Sequence, residues 1–298
     1  MVYNIDGLPS VQNDKKSISI LFVGNSLTQD GIAYLPYMLH TYYPEIDFRF
    51  YMWYIGGYTL AQQYEAFVNE TKTGDLIFSV AENTSNWTNY LQQKSMKDVL
   101  SEYEFDIVCF QEFITTNHSA NLTDWNNCRN YILDNYAGNN ALEFISLFHA
   151  PSCNSPVATN FEHLKTDNAY LLHDTISQDM IPMGIAKYRA LATELDSLGD
   201  AGHLTVDGTH AQEGLPCLLQ TFCVMCWLFD KLAINKSIYG SDARITTAVY
   251  NSINVPGPNL GTGVITGTDA QNLIAQEVAI KAYKEGKQFV VDNLFSTN

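Results

Sequence analysis

Short apolar runs that end on glycine or small polar residues alternate along this chain with longer stretches of helical period, and few folds accept that rhythm. "SISILFVG" (17–24) reads as a strand buried on both faces, and "GIAYLPYMLHTYY" (31–43) as a helix interrupted early by Pro36. "DFRFYMWYIGG" (47–57) is a second strand closing on paired glycines, with a helix in "TLAQQYEAFVNET" (59–71) behind it. "GDLIFSVAENTSNWTNYLQQ" (74–93) reads as two strands around an Asn-Thr-Ser turn, an inserted antiparallel hairpin. The helical "SMKDVLSEY" (95–103) leads into a buried strand, "FDIVCFQ" (105–111). The rhythm then continues with helix "NNCRNYILDNYA" (126–137), strand "ALEFISLFHA" (141–150), helix "NAYLLHDTISQDM" (168–180), short strand "IPMGIA" (181–186) and helix "KYRALATELDSL" (187–198).

Strand and helix in this alternation predict an α/β fold, a three-layer α/β/α sandwich around a central parallel sheet with the hairpin inserted. "DAQNLIAQEVAIKAYKEG" (269–286) has helical period, an Asp cap and a closing glycine, and is expected to pack back onto a single domain spanning 1–298, with its core at about 17–232. Ligands of such sheets bind beyond the carboxyl ends of the strands. Three strand ends thereby become candidate site positions: Ser26, the pair Gly56-Gly57, and Gln111-Glu112.

Composition narrows the function. A hydrophobic fraction of 46% with only 16% charged residues describes a well-buried globular chain. A net charge of -16 repels a phosphate backbone and an anionic membrane surface, so nucleic acid is excluded as a partner class. No apolar run is long enough to span a membrane, and "MVYNIDGLPSVQNDKK" lacks the apolar segment of a signal peptide. The chain reads as soluble, with export open if a leader has been removed. The six cysteines, several inside "LPCLLQTFCVMCWLF", read as buried free thiols. Cys223 and Cys226 form a C-x-x-C, but no second pair stands at zinc spacing, and no metal or organic cofactor is expected.

Ser26 has two readings, an N-capping serine or a nucleophile at the mouth of the sheet. A serine hydroxyl attacks only when a base takes its proton, and the base works best when a third group holds its ring. "LTVDGTHAQEGLP" offers that pair, since a single turn can bring the Asp207 carboxylate to the His210 imidazole. His40, His118, His149, His163, His173 and His203 have no such partner pattern and read as structural, with His149 at a predicted strand end. Tyr51, Trp53 and Tyr54 read as core and rim rather than as a sugar platform.

Gly24-Asn25-Ser26-Leu27, Gly56-Gly57 and Asp207-Gly208-Thr209-His210 together resemble the blocks of the SGNH (GDSL-like) hydrolase superfamily, in its order and approximate spacing, over roughly residues 18–232. "LFVGNSLT", "YIGGYTL", "DIVCFQE", "IPMGIA" and "VDGTHAQEG" look most like its bacterial DUF4886-type branch, where Gly-Asn-Ser replaces Gly-Asp-Ser. The resemblance implies a flavodoxin-like sandwich, with Ser26 as nucleophile, His210 as general base and then acid, and Asp207 as the orienting carboxylate. It also implies an oxyanion hole built from the Ser26 N–H and a glycine N–H, Gly57 or Gly56. The usual third block, Gly-x-Asn-Asp, is missing, because the equivalent strand ends "CFQEF". Gln111 carries the same carboxamide one methylene longer and is the expected substitute donor, ahead of Asn117. Asn25, in place of the usual Asp, removes a charge beside the nucleophile and serves turn geometry. Glu112 is read as structural, since a carboxylate there opposes an oxyanion.

The function this implies is a serine esterase that releases a short acyl group, acetyl foremost, from a small-molecule or carbohydrate ester. Two alternatives stand beside it: a lipid or thioester acyl hydrolase of the same fold, and a catalytically silent carbohydrate-binding protein that kept the fold.

Overall fold

A computed structural model describes residues 17–72, 74–90, 93–111, 122–147, 180–232, 245–250, 252–253 and 263–294. Seven strands, β1 (Ser17–Gly24), β2 (Asp47–Tyr54), β3 (Ile77–Glu82), β4 (Thr88–Tyr90), β5 (Ile107–Phe110), β6 (Glu143–Leu147) and β7 (Met180–Ile181), form one sheet in the order β4-β3-β2-β1-β5-β6-β7. The five strands from β2 to β7 run parallel, while β3 pairs antiparallel with β2, and β4 with β3. The inserted hairpin is therefore β3-β4, which extends the sheet beyond β2. Chain order reverses between β1 and β5, the kind of switch point at which α/β sheets open a crevice.

The helices are α1 (Ser26–Ile32), α2 (Leu35–Tyr42), α3 (Leu60–Val68), α4 (Met96–Glu102), α5 (Leu122–Asn135), α6 (Met183–Ala190), α7 (Leu215–Lys231), α8 (Thr247–Tyr250) and α9 (Asp269–Leu294). Successive strand residues point to opposite faces, and β1 divides accordingly. Ile18, Ile20 and Phe22 enter a core shared with α1, α2, α6, α7 and α9, whereas Leu21 and Val23 enter one shared with α3, α4 and α5. Burial on both faces is why β1 reads as a continuous apolar run. α7 is buried at every position from Leu215 to Phe229, which accounts for its all-round apolar sequence. Cys109, Cys217, Cys223 and Cys226 are free thiols in these cores, Cys128 is buried with its Sγ donating to the Leu60 carbonyl, and Cys153 lies outside the described residues. Tyr51, Trp53 and Tyr54 are also buried.

Three local readings change. Pro36 does not interrupt a helix: α1 stops at Ile32, and the proline sits in the first turn of α2, where its missing N–H costs nothing. "IPMGIA" contributes only Ile181 to a strand. Pro182 cannot donate to a ladder, and its carbonyl instead accepts from the Ile185 and Ala186 N–H groups as α6 begins. The stretch 187–198 is accordingly the end of α6 followed by a short 3-10 turn, Glu194–Ser197. At the other end, Thr268 rather than Asp269 caps α9, exchanging hydrogen bonds with Gln271. α9 then runs through Gly286 to Leu294, because Gly286 is not a terminator: a Cβ there would stand 2.7 Å from the Pro182 ring. The predicted helix 168–180 lies outside the described residues, apart from Met180.

Candidate active site

β1 delivers the chain to the site through Gly24. A Cβ at this position would lie 2.0 Å from Thr28 Oγ1, so only glycine lets the first turn of α1 fold back so closely on the strand end. The next residue does the capping. Asn25 is extended, its Oδ1 accepts from the Leu27 N–H at 3.0 Å, and its Nδ2 donates to the Tyr58 carbonyl at 3.0 Å. Ser26 is thus the first helical residue, and its hydroxyl is released from cap duty. The bond to Tyr58 also ties this corner to the Gly56-Gly57 turn after β2, and Ile55 N–H and Gln63 Nε2 both donate to the Gly24 carbonyl.

The second component is a loop that doubles back on itself between Thr205 and Ala211, which form an isolated antiparallel bridge, with Val206 N–H donating to the His210 carbonyl. Gly208 at the tip has φ +88, a conformation side chains resist. Asp207 Oδ1 accepts from the N–H groups of Thr209 and His210, each at 2.8 Å, so a D-G-T-H sequence closes its own turn. The other oxygen, Oδ2, stands 2.6 Å from His210 Nδ1.

Across the site, His210 Nε2 lies 2.9 Å from Ser26 Oγ. Burial raises the Asp207 carboxyl, but the hydrogen bonds from the His210 side chain and from two backbone N–H groups outweigh it and hold the group below the usual carboxylate range. An ionised carboxylate has no proton to give, so Nδ1 carries the proton and donates it. Nε2 is left to accept from the Ser26 hydroxyl.

The other expected residues divide. Gly56 and Gly57 are exposed in the turn held by Asn25, and Gly57 has φ +68, so a side chain there would be strained. Gln111 departs from the expectation of a donor facing substrate. It has no exposed surface, its N–H continues the sheet to the Val23 carbonyl, and its Oε1 accepts from Thr28 Oγ1 at 3.2 Å. The carboxamide lies beneath the corner as a support for α1. Asn25 likewise has its amide committed to Leu27 and Tyr58. Glu112, Asn117, His118, His149, His163 and His173 lie outside the described residues. His203 pairs with Asp196 at 2.6 Å on the surface. Among the described residues there is no group of three or more His, Cys, Asp and Glu that could hold a metal.

Two residues escaped the sequence reading. Asp30, one turn beyond Ser26 on α1, is 3% exposed, and its Oδ2 accepts from the Ala211 N–H at 2.8 Å. Burial drives its carboxyl up to about 7, against the opposing pull of that N–H and of the His210 and Lys187 charges. Lys187, on α6, is 1% exposed and donates from Nζ to the Thr209 carbonyl at 2.9 Å. The available signal was the charge of Lys187 on an otherwise apolar helix face, whereas Asp30 sits among the polar residues of α1 and gave none.

No protein-family model matches the chain, and none of the curated proteins matches it. Among solved structures, it is similar to a DUF4886 family protein from Bacteroides uniformis ATCC 8492, with a TM-score of 0.61 and 15% identity over 89% of this chain and 94% of that one. At that identity the likeness concerns the fold, and it extends over nearly the whole of both chains. A second solved structure, a two-domain esterase active on acetylated mannans, aligns with a TM-score of 0.43 and 15% identity over 85% of this chain and 56% of that one.

Proposed function

We propose that the chain is an SGNH-type serine esterase that hydrolyses a short acyl ester, acetyl foremost, on a small molecule or carbohydrate. The observation that carries this reading is the unbroken series Asp207 Oδ2, His210 Nδ1, His210 Nε2 and Ser26 Oγ, with gaps of 2.6 Å and 2.9 Å, at the switch point of a parallel sheet. The sugar and the acetyl group come from the superfamily resemblance of the sequence.

Ser26 Oγ attacks the ester carbonyl carbon while His210 Nε2 takes the hydroxyl proton, and the Asp207 carboxylate stabilises the imidazolium that forms. The carbonyl electrons move to oxygen, where the Ser26 N–H and the Gly57 N–H are the proposed donors, each worth about 3 kcal/mol when pre-aimed. Collapse expels the alcohol, which takes the proton from Nε2. Water, deprotonated by the same nitrogen, then attacks the acyl-Ser26 ester and releases the acid.

Fluorophosphonate labelling followed by peptide mass spectrometry tests the reading, with modification expected at Ser26. Absence of label on the folded protein, while a control serine esterase is labelled, overturns it. Acetyl, octanoyl and thioester substrates compared at equal concentration then rank the acyl preference, with acetyl esters expected first.

A further inference from the structure

Two buried ionisable side chains grip the loop that bears His210, one at the residue before it and one at the residue after it. Asp30 accepts a hydrogen bond from the N–H of the following residue, Ala211, and Lys187 donates one to the carbonyl of the preceding one, Thr209. They come from different helices that meet closely beside them: a Cβ on Gly31 would lie 2.1 Å from Met183 Sδ, so glycine permits α1 and α6 to touch one residue from Asp30 and one turn from Lys187. Thr221 Oγ1 of α7 fixes the same corner by donating to the Gly31 carbonyl at 3.1 Å. Burying an aspartate and a lysine is unfavourable unless each is hydrogen-bonded, and here each spends its bond on the backbone of a single three-residue stretch.

We infer that Asp30 and Lys187 are positioning residues that hold the 209–211 backbone at the residues before and after His210 and thereby set the His210 ring against Ser26. The catalytic meaning of the clamp rests on the esterase reading, but its structural action does not. Ser26 and Asp30 share α1, so the helix that presents the hydroxyl also anchors the loop that presents the imidazole. A shift of one carries the other with it, which keeps the 2.9 Å gap. The grip of Asp30 needs an acceptor oxygen and not a charge, since a protonated carboxyl retains one. That matters for a group with its carboxyl near neutrality.

The test compares Asp30→Ala, Asp30→Asn and Lys187→Met with the wild type in the full chain. Two readouts are used: the rate of fluorophosphonate labelling at Ser26, and the downfield proton resonance of the His210 Nδ1–H, assigned with a His210→Gln variant. Asp30→Ala and Lys187→Met are expected to slow labelling at least tenfold and to broaden or shift the resonance, with thermal unfolding still cooperative. Asp30→Asn, which keeps an acceptor for the Ala211 N–H, is expected to restore both to within about threefold of the wild type. The clamp is overturned if Asp30→Ala and Lys187→Met match the wild type, or if Asp30→Asn is as impaired as Asp30→Ala. Should Asp30→Ala fail to fold, Asp30→Asn and Lys187→Met still decide. If the wild type itself takes no label, the esterase reading fails, and the resonance alone settles the clamp.

Discussion

His210 Nε2 and Ser26 Oγ stand 2.9 Å apart although 184 positions separate them in the chain. The Gly24 corner and Asn25 cap hold one side of this distance, the self-closed Asp207 turn holds the other, and Asp30 and Lys187 anchor the loop that bears His210.

Ser26→Ala is expected to abolish ester turnover while shifting thermal unfolding little. The hydroxyl makes its bond to His210 and none to the cap, which Asn25 supplies. Its loss removes about 1 kcal/mol of hydrogen bonding. A large drop in melting temperature measured by circular dichroism would instead assign Ser26 a structural role.

Asp207→Asn preserves an oxygen for the Thr209 and His210 N–H groups but turns the atom facing His210 Nδ1 into a donor. The imidazole is then driven to the wrong tautomer, and kcat is expected to fall by about 10⁴-fold with KM nearly unchanged. Steady-state kinetics on an acetyl ester measures this, and retention of more than a tenth of the activity would remove Asp207 from the mechanism.

Gln111→Ala deletes the acceptor for Thr28 Oγ1 within a fully buried site and is expected to cost about 1 to 3 kcal/mol of stability. Because the carboxamide is beneath the corner, kcat should fall less than tenfold. Denaturant unfolding and kinetics on one preparation separate the two, and a loss of two orders in kcat without destabilisation would return Gln111 to the oxyanion hole.

Stability should fall as pH rises through the titration of Asp30. Its carboxyl is raised from 3.8 to about 7 on folding, so between those values the folded chain holds a proton that the unfolded chain has released. The stabilisation is complete below about pH 4 and gone above about pH 7, and the full difference is roughly 4 kcal/mol. Lys187, His210 and Asp207 act on the same carboxyl, and the net direction is set by burial. Urea unfolding from pH 5 to 8 measures the slope, which should flatten in Asp30→Asn.

The layered architecture was legible because period-two burial on both faces leaves continuous apolar runs, and β1 coincides with "SISILFVG" from end to end. The Asp207–His210 pairing was legible because a D-x-x-H stretch closes its own turn and needs only local geometry. The cap was not, since Asn and Ser are both favoured there, and only the bond from the Leu27 N–H to Asn25 Oδ1 separates them. "IPMGIA" was misread because an apolar run around a proline looks alike in a strand end and a helix start. Asp30 and Lys187 stayed hidden for another reason. Each binds backbone, which has no sequence signature, and the acceptor of the Ala211 N–H lies 181 residues away.

α7 carries a property independent of catalysis. Cys217, Cys223 and Cys226 are at most 3% exposed, and burial raises all three thiols, so none offers a thiolate to reagent while the helix is seated. Alkylation of these positions therefore keeps time on the opening of the helix at the centre of its layer. The protein contains its own clock for unfolding, readable peptide by peptide without an introduced label.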